Sequence, residues 1–237
     1  MFVLLLKGTD EVDEEDRYER VLHPTPSVRI PVLKFEVVEF EVRRLESAEF
    51  DAIITTSARA AWAVSQLGSS SLLDRIRQVP WYCVGQGSKE AAVKLLEVTC
   101  VLGSETGSAE NLINLIENNP SIHSGKIAYL SGNLRKSTIG DGLDRLGIKK
   151  FTEYVVYRTI PNTKVSLQVP NFSGKRVCAF FSPSGVSAVG SQVGQDDVVV
   201  AIGETTSKAL LEAGIHVNAV AATPSPEGLL TAIQSCT

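Results

Sequence analysis

Six short clusters of Ser, Thr and Gly follow apolar runs along this chain, and their chemistry suits the binding of anions. The clusters lie near Ser57, Ser88, Ser108, Ser182, Thr205 and Ser225. Each has the form of a strand that ends in hydroxyl or glycine residues before a helix begins. The first turn of a helix exposes unpaired backbone N–H groups, and the helix dipole favours negative charge there. The set therefore predicts binding of a ligand with several carboxylates or phosphates, although a single such Ser most often caps only its own helix.

Groups for acid–base, metal or redox chemistry are scattered. The cationic candidates near the clusters are Arg59, Lys89, Arg135, Lys136 and Lys208. The three histidines lie in no known catalytic pattern, and the chain has no zinc-protease, phosphate-loop or paired-cysteine motif. Gly85-Gln86-Gly87 begins like a dinucleotide fingerprint, but Glu90 occupies the position of the third glycine. We therefore predict neither a metal nor a cofactor.

The elements that must position these clusters occur twice. Thr106, Ser108, Glu110, Leu112, Ile113 and Ile116 recur 117 positions later as Thr223, Ser225, Glu227, Leu229, Leu230 and Ile233. The junctions at Ser57 and Ser88 recur in the same order at Ser182 and Thr206. Two copies at this long spacing predict two similar domains and not a solenoid of short repeats.

Short apolar runs alternate with amphipathic stretches from end to end, which predicts βα units and parallel sheets. The expected strands are Phe2–Leu6, Asp51–Thr55, Trp81–Val84, Lys126–Leu130, Arg176–Phe181 and Val198–Ile202. Leu112–Ile116 and Leu229–Ile233 have the apolar spacing of helices that rest on a sheet. The predicted fold class is α/β, with two similar flavodoxin-like or Rossmann-like domains.

Two further segments, Pro31–Val42 and Phe151–Ile160, are rich in β-forming residues, and we expect them to pair as a two-stranded ladder. One domain is then inserted into the other. The predicted division is a discontinuous domain of residues 1–31 and 161–237, connector strands at 32–48 and 153–160, and an inserted domain at 49–152. Because ligands of hinged two-domain proteins usually bind between the domains, we expect the ligand there.

Length and composition fit a globular protein of two domains: 237 residues, 43% hydrophobic and 21% charged. The net charge of -4 argues against a broad nucleic-acid surface. No segment has the length of a membrane span, and Phe2–Leu6 is too short for a signal peptide. The four cysteines lack metal or redox spacing, and three lie within or beside apolar runs, which predicts buried thiols. We expect a cytoplasmic monomer that binds a small molecule and neither nucleic acid nor membrane.

The loops together resemble those of the uroporphyrinogen III synthase family along nearly the whole chain. The similar segments are Val3–Lys7, Ile30–Leu33 with Phe35-Glu36, Thr56–Ala60, Gly132–Lys136, Val156–Thr159, Phe180–Gly185, Ala201–Thr206, and Ala222–Pro226 with Leu229. The resemblance implies two α/β domains joined by a two-stranded ladder, with no metal or cofactor. It also implies a hydro-lyase of haem biosynthesis, which cyclises hydroxymethylbilane to uroporphyrinogen III with inversion of ring D. That substrate is a linear tetrapyrrole with eight carboxylates.

The resemblance further implies which residues form the site. Tyr157 matches the family tyrosine considered as the proton donor for loss of the terminal hydroxyl. Substrate contacts are expected from Thr56, Ser57, Arg59, Ser88, Ser108, Gly132, Asn133, Arg135, Ser182, Ser184, Gly185, Thr205, Thr206 and Lys208. Ser88 stands where a threonine is familiar and Ala58 where a proline often is, so the contacts near these two positions differ in detail.

The residues alone leave other functions open. A non-catalytic two-lobed binding protein for a polyanionic small molecule would need the same repeat and the same helix caps. A sugar-phosphate isomerase would also want phosphate-binding hydroxyl loops, but it needs a base aimed at a carbon acid, and the chain offers no good candidate. Tyr157 could equally be an aromatic residue of the connector strand without a chemical role.

Overall fold

The computed structural model describes residues 1–8, 16–169, 172 and 174–236. The chain divides into two compact units. Unit 1 comprises Met1–Phe35 and Ile160–Thr237, and unit 2 comprises Glu36–Thr159. Residues 9–15 of the predicted segment 1–31 lie outside this description. The predicted fold class is confirmed: two α/β units with parallel sheets, one inserted in the other.

The strands and helices alternate as the apolar pattern predicts. The strands are β1 (Phe2–Leu6), β2 (Ser27–Ile30), β3 (Leu33–Val37), β4 (Ala52–Thr55), β5 (Trp81–Cys83), β6 (Val101–Leu102), β7 (Ile127–Gly132), β8 (Phe151–Pro161), β9 (Arg176–Phe180), β10 (Val198–Ala201) and β11 (Ala219–Val220). The α-helices are α1 (Arg17–Leu22), α2 (Glu39–Glu46), α3 (Ala58–Leu67), α4 (Ser70–Arg77), α5 (Gln86–Leu96), α6 (Ala109–Glu117), α7 (Thr138–Arg145), α8 (Pro183–Val189), α9 (Glu204–Glu212) and α10 (Pro226–Gln234). Within the described part of the chain, no helix is long and apolar enough to cross a membrane.

The sheet of unit 2 has the strand order β3-β8-β7-β4-β5-β6. The strands from β8 to β6 run parallel to their neighbours. Helices α2 to α5 cover one face, in a core that contains Ile53, whereas α6 and α7 cover the other face, in a core that contains Ile54. Because successive strand residues point to opposite faces, a strand covered on both sides must be apolar throughout.

The sheet of unit 1 has the strand order β11-β10-β9-β1-β2, and all its strands are parallel. Helices α1 and α10 pack on the face that holds Val3 and Leu5. Helices α8 and α9 pack on the face that holds Leu4 and Leu6. Counted from β2 along this unit alone, the order is that of a flavodoxin-like doubly wound sheet.

The duplication in the sequence reappears in the two sheets. Strands β9, β10 and β11 follow each other in unit 1 as β4, β5 and β6 do in unit 2, while β1 and β2 stand where unit 2 has β7 and β8. Ser108 caps α6 and Ser225 caps α10, each by accepting a backbone hydrogen bond from the first turn. The predicted helices at Leu112–Ile116 and Leu229–Ile233 are confirmed within α6 and α10.

The prediction of strand over Pro31–Val42 is wrong beyond Val37, because α2 begins at Glu39. Val42 and Leu45 face the core from this helix, and Arg43 and Arg44 pair with glutamates three or four residues away. Strand β8 lies between β3 and β7, so the predicted pairing of the two segments is confirmed for β3 and β8, and the ladder is continuous with the sheet of unit 2.

Candidate active site

The ends of β4 and β7 form the point in unit 2 where the following helices part to opposite faces of the sheet. Helix α3 follows β4 and packs in one core, and α7 follows β7 and packs in the other. In doubly wound sheets, ligands bind outside the carboxyl ends of the strands at such a point. Ser57, Gly132 and Tyr157 lie here, the last of them contributed by the neighbouring strand β8.

The Tyr157 hydroxyl donates a hydrogen bond to Ser57 Oγ at 3.0 Å. Ser57 is the N-cap of α3, and the same Oγ accepts the backbone N–H of Arg59 at 3.2 Å. The Ser57 N–H in turn donates to Thr55 Oγ1 at 3.3 Å. A serine hydroxyl has two acceptor positions and one proton, so these contacts leave the Ser57 proton available for a third group.

The Tyr157 ring lies against the backbone of Gly132. The register of β7 and β8 runs from Ser131 opposite Val155 to Gly132 opposite Tyr157, which leaves Val156 as the extra residue of a bulge. Bulges redirect the side chains that follow them. A Cβ atom at Gly132 would lie 2.6 Å from the Tyr157 hydroxyl oxygen, closer than real Cβ atoms come. The present position of the phenol therefore requires glycine at 132.

Asn133 continues the contact between the two strands past the bulge. Its Oδ1 accepts the Thr159 N–H at 2.8 Å, and its Nδ2 donates to the Thr159 carbonyl at 3.3 Å. Its backbone N–H donates to the Tyr157 carbonyl at 3.3 Å. Both ends of the amide are thus engaged with the backbone of β8.

Arg135 is held by Glu153. Arg135 Nε and Nη2 donate to the two carboxylate oxygens at 2.7 and 2.9 Å, and Ser131 Oγ donates to Glu153 Oε1 at 2.7 Å. The hydrogen bond from Arg135 holds the pKa of Glu153 below its ordinary value, against the opposing effect of burial. Tyr129 lines the same cavity of about 350 Å³, and burial raises the pKa of its phenol. Arg135, which is expected to bind a substrate carboxylate, already binds the carboxylate of Glu153.

The other predicted residues of unit 2 follow neighbouring strands along the same edge. Thr56 is half-buried between β4 and α3, and Arg59 lies in the first turn of α3. Ser88 is buried in the first turn of α5, and Ser108 Oγ caps α6 by accepting the Asn111 N–H at 3.1 Å. The parallel pairing of β4, β5 and β6 places these last two residues one and two strands away from the Tyr157 group.

In unit 1, the predicted residues that follow β9 form a tightly packed helix start. Ser182 Oγ caps α8 by accepting the Gly185 N–H at 3.2 Å. Gly185 is buried, and a Cβ there would lie 3.2 Å from Val32 Cγ2. Ser184, between them, is half-buried. Ser182 and Gly185 therefore have structural roles in positioning α8 whatever else they bind.

The residues that follow β10 line a cavity of about 440 Å³ at the ends of β10 and β11. Its lining includes Gly203, Thr205 and Thr206, and also the carboxylate residue Glu204. Thr206 is buried, whereas Thr205 and Lys208 are exposed, and Lys208 Nζ lies 3.9 Å from Glu212. Lys208 is thus a solvated side chain whose ion pair, at this distance and exposure, costs little to break.

The sequence analysis did not single out Lys7 or Glu153 as candidate site residues. Lys7 directly follows β1, where its Nζ pairs with Asp16 at 2.7 Å and lies 4.3 Å from the centre of the Tyr18 ring. Its place just after the first predicted strand was a usable signal, since β1 and β9 are neighbours at the switch point of unit 1. Glu153 gives no such signal, because its role depends on its position across from β7.

Known proteins resemble this chain in sequence and in fold. The chain matches the family model of uroporphyrinogen-III synthase HemD over residues 26–231. The crystal structure of uroporphyrinogen-III synthetase from Helicobacter pylori 26695 is similar with a TM-score of 0.60 and 18% sequence identity, covering 99% of each chain. A mutant uroporphyrinogen III synthase from the extremely thermophilic bacterium Thermus thermophilus matches with a TM-score of 0.48 and 15% identity, covering 99% of this chain and 98% of that chain. The Helicobacter structure shares the two-unit fold.

Proposed function

The chain belongs to the uroporphyrinogen-III synthase family, and from that premise we propose that Tyr157 donates the proton that starts cyclisation of the tetrapyrrole. The enzyme closes hydroxymethylbilane into uroporphyrinogen III with inversion of ring D, a step of haem biosynthesis. The observation that carries the proposal is the hydrogen bond from the Tyr157 hydroxyl to Ser57 at the switch point of unit 2.

The first step needs a proton on the terminal hydroxyl of the substrate, which then leaves as water and gives an azafulvene. In the family scheme, the far pyrrole attacks through its substituted carbon to form a spiro intermediate. Fragmentation and reclosure then invert that ring, and the net loss of water makes the enzyme a hydro-lyase. Since the substrate supplies much of the reactivity, the protein contributes chiefly by holding one geometry and stabilising charge.

Tyr157 suits this step by its position. Its proton already points at an oxygen, Ser57 Oγ, and a substrate oxygen in place of Ser57 would receive it directly. This transfer leaves a phenolate, which a proton released by the cyclisation restores.

The substrate carboxylates are assigned to the hydroxyl, cationic and backbone N–H groups at the carboxyl ends of the strands. In unit 2 we assign them to Thr56, Arg59, Ser88 and Ser108. In unit 1 we assign them to Ser182, Ser184, Gly185, Thr205, Thr206 and Lys208. Helix starts of this kind provide unpaired N–H donors and a favourable dipole for anions.

The test is Tyr157→Phe, assayed with freshly prepared hydroxymethylbilane and separation of the product isomers. We expect turnover to fall about 10²-fold, the usual effect of losing a general acid, with an unchanged circular dichroism spectrum. Tyr82→Phe is the matched control, because Tyr82 lies in the core of unit 2, where its hydroxyl accepts a hydrogen bond from Asn119 Nδ2 at 2.9 Å. Full turnover by Tyr157→Phe would remove the phenol from the mechanism.

The proposal extends to the surroundings in which the enzyme works. We propose a cytoplasmic monomer that acts on its small-molecule substrate without a cofactor. The absence of a cofactor is supported by the sequence, in which the cysteines lack metal or redox spacing. Light scattering of the purified protein tests the oligomeric state, and the mass of a dimer would contradict it.

A further inference from the structure

We infer that Ser57, Gly132 and Asn133 act on the reaction through Tyr157, as positioning residues, and not by binding substrate carboxylates. The inference rests on the proposed function of Tyr157. It changes the role of three residues that the family resemblance places among the substrate contacts. Each holds a different part of the tyrosine: Asn133 the backbone, Gly132 the ring and Ser57 the hydroxyl.

Asn133 fixes the backbone that directly follows the tyrosine side chain. Its N–H bonds the Tyr157 carbonyl, and its amide bonds both the N–H and the carbonyl of Thr159. These hydrogen bonds replace the ladder that the bulge interrupts. Three hydrogen-bonding groups of Asn133 are thus used to hold the strand that carries the tyrosine, and these bonds leave the second Nδ2 hydrogen for another partner.

Gly132 fixes the ring by lacking a side chain. The Tyr157 hydroxyl and ring carbon Cε2 would lie 2.6 and 2.7 Å from a Cβ atom at this position. Any other residue at 132 must push the phenol away from the ends of β4 and β7. Glycine is therefore needed at 132 for a steric reason, because a side chain there would displace Tyr157.

Ser57 fixes the hydroxyl. Its Oγ uses one acceptor position for the N–H of Arg59 and the other for Tyr157. The capping bond ties this oxygen to the start of α3. Ser57 thereby orients the phenol, and the capping hydrogen bond holds the serine oxygen that accepts from it.

The experiment is a set of double-mutant cycles. Ser57→Ala, Gly132→Ala and Asn133→Ala are made alone and together with Tyr157→Phe. We expect each single variant to lower kcat by as much as about 10²-fold, as misplacement of a catalytic group does, and to leave KM unchanged. In the Tyr157→Phe background, the same changes should lower kcat no further. Ser57→Thr should restore activity, since it keeps the hydroxyl and the cap.

The matched control for Gly132→Ala is Gly140→Ala in α7, where a Cβ would meet nothing within 4 Å. It should leave kcat and KM unchanged. A raised KM with unchanged kcat, or losses that persist in the Tyr157→Phe background, would show that the three residues bind substrate, and the inference would be overturned. If Gly132→Ala does not fold, the Ser57 and Asn133 cycles decide alone.

A spectroscopic readout separates this inference from the proposed function. In protein labelled with fluorotyrosine, the Tyr157 resonance is the one missing from Tyr157→Phe. We expect it to move in Ser57→Ala and Gly132→Ala and to stay in Gly140→Ala. A moved resonance with a fully active Tyr157→Phe would refute the acid role while the positioning stands. A slow Tyr157→Phe with an unmoved resonance would refute the positioning alone.

Discussion

The pairing of Arg135 with Glu153 shows how a neighbouring residue decides what a charged side chain can do. Two of the guanidinium donors and both carboxylate oxygens are used in one fork, and Ser131 adds a third hydrogen bond. Such a fork is stronger and more directional than a single contact. Arg135 can still offer Nη1 to the substrate, but its position is set by the protein, and it links the loop after β7 to β8.

This pair predicts an acid-sensitive part of the stability. Because the pKa of Glu153 is lowered in the folded state, its stabilising effect is present above the unfolded pKa, near 4.3, and is lost as the pH falls through the folded value. We expect Glu153→Gln to lower the free energy of unfolding by up to about 1 kcal/mol at neutral pH, since the pair is partly exposed. The difference from the parent should vanish in acid.

Urea denaturation at neutral and acidic pH measures this difference. Asp144→Asn is the control, because the Asp144–Lys149 pair is largely exposed and should contribute little. A deficit of Glu153→Gln that is equal at both pH values would mean that ionisation of Glu153 does not matter to folding.

Among the elements, helices α6 and α7 meet through a glycine. A Cβ at Gly142 would lie 2.7 Å from Ile113 Cδ1, whereas one at Gly140, a half-turn away on the same helix, would meet nothing. Alanine favours a helix over glycine by about 1 kcal/mol. We therefore expect Gly140→Ala to stabilise the protein by up to that amount and Gly142→Ala to destabilise it by about 1–3 kcal/mol, as overpacking does. Thermal unfolding of the two variants checks the opposite signs, and two changes of the same sign would contradict the packing described for Ile113.

At the start of α8, we expect capping of the helix and binding of substrate to depend on different serines. Ser182 caps the helix, so Ser182→Ala should cost about 1 kcal/mol of stability whether or not substrate is present. Ser184 makes no cap, so Ser184→Ala should affect stability by less than about 0.5 kcal/mol. Any effect of Ser184→Ala should therefore appear in KM. Denaturation and steady-state kinetics of both variants measure this, and a Ser184→Ala protein as unstable as Ser182→Ala would refute the distinction.

The coverage of a strand by helices and its length decide whether the sequence can predict it. Strands β1, β4, β5, β7, β9 and β10 are predominantly apolar because helices cover both faces, and this signal is readable without a structure. The short strands β2, β6 and β11 offer two to four residues, too few to show a period. The contacts of Asn133 with Thr159 and of Arg135 with Glu153 depend on the β7–β8 register and its bulge, which neither strand reveals by itself.

The whole molecule contains one buried thiol in each unit. Cys178 lies in the core of unit 1 and Cys83 in that of unit 2, and burial raises the pKa of each to about 12. Cys100, beside the apolar pair Val101-Leu102, is exposed, so burial does not extend to every thiol beside an apolar run. Its side chain lies just before β6, at the edge of the sheet, where no further strand covers it among the described residues.

These exposures predict the order of thiol modification. A thiol reagent should label Cys100 first in the native protein, whereas Cys83 and Cys178 should react only on unfolding, because the thiolate is the reactive form. Mass spectrometry of labelled peptides at increasing urea concentration measures this, with Cys100→Ser to remove the fast phase. Rapid native labelling of Cys83 or Cys178 would contradict the cores described for the two units.

The place of β1 in the sheet of unit 1 has a consequence for synthesis on the ribosome. This strand lies between β2 and β9, and it is translated well before β9, which begins only at Arg176. Domains generally fold as units while the chain emerges. The whole of unit 2 is therefore complete while Val3–Leu6 still lacks a neighbour on one side, and for that interval the nascent chain exposes an apolar strand that a chaperone is suited to shield.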